Sequence, residues 1–253
     1  MNDAELQAAW LEEERAAHIH GWDFSHIEGR YTESDPDGWD YREEILSVLR
    51  PDMDLLDVDT GGGEFLLSLN HPHARTTATE GYPPNAALCR ETFAPLGVRF
   101  AEADGSDTLP FDDASFDIVI NRHGSYNPAD VFRLLRPGGW FITQQVGAQN
   151  DRELAQLLLP GVPMPFPGHD ANGAAMQFRE AGFEIIRADD WYGAIRFTDV
   201  GALVWFARVI PWEFPGFSVA RCLPQLRNAQ RIVQEQGAVE GRTHRFLLIA
   251  RRP

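Results

Sequence analysis

Three consecutive glycines, Gly61-Gly62-Gly63, follow the apolar run Leu55-Leu56-Asp57-Val58-Asp59-Thr60 and precede Glu64-Phe65. The run reads as a buried strand over Asp54 to Asp59, and Phe65 to Leu69 as the start of a helix. A turn of bare backbone at a strand-to-helix junction limits the possible folds more than any other feature of the chain. Glycine reaches φ > 0 without steric cost and lets a ligand approach main-chain N–H groups. The helix N-terminus adds unpaired donors and partial positive charge. Such a turn belongs at the carboxyl edge of a doubly wound sheet, where these folds bind ligands. A flexible turn without a ligand is the plainer reading of a glycine triplet taken alone.

The surrounding pattern alternates. Strands are predicted over Thr76 to Thr79, Val98 to Ala101, Phe116 to Asn121 and Trp140 to Val146, the last entered through a turn at Pro137-Gly138-Gly139. Helices are predicted over Asn85 to Phe93 and Pro128 to Leu135. Strands and helices in this order imply crossover units and a parallel sheet covered on both faces. Ahead of them stand an amphipathic helix over residues 3 to 18, a Gly-, Asp- and Pro-rich loop from Gly21 to Asp40, and a short helix from Tyr41 to Leu49 that Pro51 closes. The last third carries a helix over Ala171 to Ala181, a strand over Phe183 to Arg187 and a final strand over Arg245 to Ala250. Between those strands runs an aromatic-rich insertion, Trp191 to Phe217, in which Thr198 or Asp199 can cap a helix reaching about Val209.

Charge narrows the partners. The chain has 38 acidic residues against 22 Lys and Arg, a formal charge of −16. An acidic excess of this size repels phosphates, so nucleic acid and anionic membrane are not expected partners. The two cysteines, Cys89 and Cys222, make no disulfide framework and no thiol metal cluster. The N-terminus is acidic, unlike a secretory signal, and the longest apolar stretch, Val200 to Ala207, is too short to span a bilayer. The expectation is a soluble cytoplasmic protein.

Acidic residues close the next two strands. Glu80 stands 23 residues after Asp57, where a carboxylate can accept both hydrogens of a ribose diol. Asp104-Gly105 ends the third strand, suited to the exocyclic amine of a purine. Leu109-Pro110-Phe111, Ser115-Phe116-Asp117 and Leu135-Arg136-Pro137-Gly138-Gly139 follow in order. A dinucleotide site would want Gly-x-Gly-x-x-Gly, which this turn does not have.

The ordered set resembles the class I S-adenosylmethionine-dependent methyltransferases, in particular the small-molecule group called type 11. That family's first motif is acid-x-Gly-x-Gly-x-Gly. Asp57 matches the acid, and Gly61 and Gly63 match the second and third glycines, while Asp59 stands where the first is usual. The resemblance covers roughly residues 40 to 150 and the terminal strand pair. It implies a three-layer, doubly wound Rossmann-like fold with a mostly parallel sheet and a final antiparallel strand. It also implies one domain over residues 1 to 253, with a cap or lid over 1 to 40, a cofactor half over 41 to 150 and a substrate-covering insertion over 190 to 220. S-adenosyl-L-methionine is the implied cofactor. Glu80 and Gly81 would hold its ribose, and Asp104 and Gly105 the adenine. Asp57, Asp59, Gly61, Gly63 and Asn121 would line the rest. At Asp59 an extended backbone would accommodate a side chain at little cost. Its carboxylate would then either crowd the methionine carboxylate or face the ammonium.

Methyl transfer from a sulfonium is an in-line displacement from an excellent leaving group, so positioning and exclusion of water matter most. His123, after the fourth strand, is the preferred base, set against a histidine that merely hydrogen-bonds backbone. His26 is a weaker base candidate. Trp22 and Phe24 are read as lid residues or as core. His18, His20 and His26 lack the companions of a metal site, and no metal is expected. Tyr126, Gln144, Trp205 and Trp212 are expected to line the acceptor pocket, which the aromatic insertion makes apolar. The expected substrate is therefore a small apolar or aromatic molecule, with a homodimer possible. Two rivals remain: an RNA-directed methyltransferase, and a non-catalytic protein whose first motif is degenerate at Asp59.

Overall fold

The computed structural model describes residues 2–18, 23–34 and 38–253. Its first elements are α1 (Asp3–Ala16), β1 (Tyr31–Glu33), α2 (Tyr41–Leu46), β2 (Leu55–Val58), α3 (Glu64–Ser68), β3 (Thr76–Thr79), α4 (Pro83–Phe93) and β4 (Arg99–Ala101). There follow β5 (Phe116–Arg122), α5 (Pro128–Leu134), β6 (Leu135–Val146), α6 (Arg152–Leu158), α7 (Ala171–Glu180), β7 (Glu184–Phe197), α8 (Val200–Val209), α9 (Leu223–Gln236) and β8 (Val239–Arg251). No helix among the described residues is long and apolar enough to cross a membrane.

The chain divides into two compact units. The first comprises Met1–Asp37, Ala148–Pro167 and Tyr192–His244; the second comprises Gly38–Gly147, Gly168–Trp191 and Arg245–Pro253.

In the second unit β6, β5, β2, β3 and β4 lie side by side and parallel, and β8 runs antiparallel along β6. This is the expected α/β sheet with its antiparallel strand. Alternation along the strands sends side chains to two cores. Leu56, Val58, Val119, Phe141, Phe246 and Leu248 pack with Val131 and Leu134 of α5 and Phe178 of α7. Leu55, Ala78, Ile118, Ile120, Ile142 and Leu247 pack with Tyr41 and Ile45 of α2, Leu66 of α3 and Phe93 of α4. Both faces are thus covered, which is why these strands read as continuous apolar runs.

Two boundaries differ from the sequence reading. Pro137-Gly138-Gly139 is not a free turn: β6 already starts at Leu135. Gly138 N–H donates to Arg252 O at 2.7 Å and Arg252 N–H to Gly139 O at 2.9 Å, so the chain's last residues hold this segment in the sheet. β7 continues well past Arg187, although its central residues are mostly exposed.

The first unit has its own core. α8 is buried at nearly every position, and it packs with Trp10 of α1, Leu154 and Leu158 of α6 and Leu226 of α9. A helix apolar on all sides must be enclosed. Asp199 caps it, accepting Ala202 N–H at 2.8 Å. Strand β1 pairs antiparallel with the end of β7, Tyr31 opposite Phe197, inside a segment expected to be irregular. Helices α6 and α9 were not expected either.

Candidate active site

The parallel strands of the second unit bring four chain ends to one sheet edge: those after β2, β3, β4 and β5. Beyond β2 the backbone takes positive φ at Asp59 (54°), Gly61 (65°) and Gly63 (86°). A Cβ on Gly63 would lie 2.3 Å from Phe93 Cζ, so α4 packs directly on the turn. A Cβ on Gly61 would meet nothing within 4 Å. The outer side of the turn is open, and its glycine is required by φ.

Glu80 is buried, and its carboxylate is the hub of this edge. Gly61 N–H donates to Oε2 at 2.8 Å and Tyr82 N–H to Oε1 at 2.7 Å. A carboxylate has about four acceptor positions, so one on each oxygen remains for a vicinal diol. Beneath it Asp57 accepts the Thr60 hydroxyl at 2.6 Å. Burial pushes the Asp57 carboxyl up to about 7; Thr60 and Arg122 oppose the shift, while Asp59 and Glu80 reinforce it. Cys89 Sγ donates to Gly61 O at 3.1 Å from the other side. The Cys89 thiol was not expected near the turn, and no sequence signal marks it.

Asp104 is exposed and folded on itself, accepting the Ser106 amide at 2.8 Å and hydroxyl at 2.6 Å, which holds its pKa below the usual value. Gly81 lets two loops meet, since a Cβ there would lie 3.0 Å from Asp104 Cα. Acidic groups at Asp57, Asp59, Glu80 and Asp104 give the edge a negative field suited to a cation, and the glycine turn supplies bare backbone. The residues therefore fit an adenosyl sulfonium.

A family model described as a methyltransferase domain matches residues 56–143, the segment that carries this edge. Over that segment the chain is similar to a methyltransferase domain. The phthiotriol/phenolphthiotriol dimycocerosates methyltransferase of Mycobacterium tuberculosis is 32% identical over 111 residues, 41% of this chain and 40% of that protein. The fatty-acid O-methyltransferase of Mycolicibacterium smegmatis is 29% identical over 134 residues, 50% of this chain and 45% of that protein. The matches thus span at most 45% of these curated relatives' own length. A candidate methyltransferase from Bacillus halodurans C-125 has the same fold, with TM-score 0.56 at 17% identity over 84% of this chain and 98% of that one. The [4+2]-cyclase SpnF shares it too, with TM-score 0.51 at 19% identity over 99% and 94%. Fold alone leaves the reaction open.

At the end of the matched segment, the end of β5 and the facing part of β6 form a polar floor. Asn121 is wholly committed to protein. Its amide donates to Val58 O at 2.9 Å and Ser125 O at 3.1 Å, and its oxygen accepts Thr143 Oγ1 at 3.1 Å and Gln145 Nε2 at 2.5 Å. It stiffens the floor and has no group left for a cofactor. Gln144 is buried and accepts the Trp39 indole N–H at 2.8 Å. His123 has φ 60° and donates its N–H to Gln144 O at 2.9 Å. The residue as a whole is exposed, although protein crowds its ring. Loss of water around the ring, with Arg245 and Arg122, pushes its pKa down to about 3. The imidazole is neutral at physiological pH, and it is a weak proton acceptor. The Arg122 guanidinium lies over the Phe65 ring, 4.9 Å from its centroid. Tyr126 turns inward, packing edge-on against Phe141 and Phe178.

Asp59 differs from both sequence readings. Its backbone is left-handed, not extended, and its side chain turns into the protein, where Gly105 and Ser125 N–H groups donate to its two oxygens.

Other expected site residues belong to the first unit. Trp205 is 1% exposed and fills its core, stacked on His26 with ring centroids 5.3 Å apart. It has no surface to offer an acceptor, which corrects the pocket-lining expectation. His26 Nε2 pairs with Glu13 Oε2 at 2.7 Å. Trp212 is 44% exposed. Trp22 and His20 lie outside the described residues. Sequence reasoning also missed Glu213, whose buried carboxyl is raised to about 7 by burial.

Proposed function

We propose that the protein transfers the methyl group of S-adenosylmethionine to a small organic acceptor with an apolar or aromatic body. The observation that carries this reading is the Glu80 carboxylate. It is buried and held by two backbone N–H groups, with one acceptor position per oxygen left toward the open side of the glycine turn.

When bound, the cofactor supplies a methyl carbon activated by a positive sulfur. Glu80 clasps the ribose diol, Asp104 and Gly105 flank the adenine, and the turn from Gly61 to Gly63 receives the methionine end. The acidic edge favours the sulfonium over its neutral product, which helps exchange product for fresh donor. His123, neutral and on the polar floor, accepts a hydrogen bond from the acceptor and orients its lone pair. A low pKa suits that role better than full proton abstraction. A carboxylate acceptor would need no base at all.

An apolar acceptor is supported by the two curated relatives, whose names specify a phthiotriol lipid and a fatty acid. The formal charge of −16 opposes the RNA-directed alternative. Calorimetry with S-adenosylhomocysteine, followed by mass spectrometry of incubations with fatty acids, phenols and amines, tests the reading. The expected result is saturable binding and one acceptor heavier by a single CH2. Absence of binding removes the donor site, and binding without turnover on any acceptor leaves a cofactor-binding protein.

A further inference from the structure

The first glycine of the family's motif is replaced by Asp59, and the structure gives that side chain an occupation. Asp59 follows β2 with φ 54°, a conformation that costs most side chains about 1 kcal/mol or more but that Asp tolerates better. From there its carboxylate reaches across the sheet edge. Gly105 N–H, after β4, donates to Oδ1 at 3.1 Å, and Ser125 N–H, after β5, donates to Oδ2 at 2.8 Å. Asp59 N–H itself donates to Thr79 Oγ1, at the end of β3, at 3.3 Å. One residue thus joins the ends of four parallel strands.

The neighbours are shaped to admit it. A Cβ on Gly124 would lie 2.5 Å from Asp59 Cβ, and a Cβ on Gly105 would lie 2.2 Å from Ser125 O. The three loops meet backbone to backbone around the carboxylate. Each oxygen is thus oriented by a loop amide of the protein itself. Its bonds are of the charge-assisted kind, stronger than neutral ones.

We propose that Asp59 is a positioning residue: a strap that fixes the Gly105 and Ser125 loops in the arrangement that receives the adenosine part of the donor. This rests on the donor-site reading above and adds to it. A glycine at this position would relieve the backbone and leave the two amides unanchored, so the chain holds its adenosine edge by a device its family pattern lacks.

The test uses the full chain, with Asp59→Gly and the near-isosteric Asp59→Asn. Amide hydrogen exchange at Gly105 and Ser125 is measured without ligand. Calorimetry then measures S-adenosylhomocysteine and 5′-methylthioadenosine, which lacks the amino-acid end. The expected result is faster exchange at both amides and an equal loss of affinity for the two ligands, roughly tenfold. Asp59→Asn, which keeps one acceptor, should fall between wild type and Asp59→Gly. Exchange unchanged in both variants overturns the strap, whether or not ligands bind. A loss confined to S-adenosylhomocysteine overturns it too, because it places Asp59 on the amino-acid end. Wild-type protein that binds neither ligand overturns the donor-site reading and, with it, the positioning role.

Discussion

Glu80 Oε2 accepts the amide of Gly61, 19 residues earlier, at 2.8 Å. The bond closes the glycine turn against the next strand, and Tyr82 N–H holds the other oxygen at 2.7 Å. Glu80→Gln places an amide NH2 opposite one of these donors. Binding of S-adenosylhomocysteine should weaken at least about tenfold. Calorimetry checks this, with a thermal melt to show that the fold persists.

Gly61 and Gly63 should respond differently to the same substitution. Gly61→Ala meets open space, so only its φ of 65° is penalised, on the order of 1 kcal/mol. Binding should drop while the fold survives. Gly63→Ala drives a Cβ to 2.3 Å from Phe93 Cζ, and denaturation should show a loss of roughly 2 kcal/mol or more. Gly63→Ala with Phe93→Leu relieves the overlap but not the strain at φ 86°.

Stability should be greatest in mild acid. Burial raises Asp57 to about 7, Asp59 to about 6 and Glu213 to about 7, all above their unfolded values. Their contribution is fully present below the unfolded pKa and is lost as pH rises through 6 to 7. Glu13 acts oppositely: burial works against it, but Arg30 and His26 hold it below its ordinary value, so its contribution is lost as pH falls. Melting temperature should be higher at pH 5 than at pH 8. Glu213→Gln should remove part of that difference, on the order of 2 kcal/mol.

His123→Gln should lower turnover without adding or removing a pH-rate inflection between pH 5 and 8, because a group with a pKa of about 3 does not titrate there. An inflection near neutrality that vanishes in the variant would restore His123 as a full base.

Trp205→Ala should destabilise the protein by roughly 3–5 kcal/mol, as expected for a large side chain removed from a core. Its indole N–H has no partner among the described residues, so Trp205→Phe should cost far less. Denaturant titration separates the two.

The sheet was legible because its strands are buried on both faces. Leu55 to Val58 and Phe116 to Asn121 are apolar runs bounded by turn residues, and no alternation is needed to read them. β1 was not legible: Tyr31-Thr32-Glu33 is short, and only Tyr31 is even half-buried. The middle of β7 contains Asp189 and Asp190 with exposed aromatics after them, so it carries no period of two. Glu80, Gly61 and Gly63 stand out in the sequence by their spacing, and the structure brings Gly61 and Glu80 together. The role of Asp59 does not stand out, because nothing in a sequence distinguishes an aspartate in left-handed backbone from one in a strand. Trp205 was misjudged because aromatic density looks the same whether it walls a pocket or fills a core.

Strand β8 sets the schedule of synthesis. The edge that holds Glu80 is built from early residues, yet β6 gains its antiparallel neighbour only from Arg245–Arg251. On the ribosome that flank of β6 stays bare until residues 245–251 have emerged. Chaperone engagement should therefore persist until that strand is available, and a chain truncated before Arg245 should leave an aggregation-prone border.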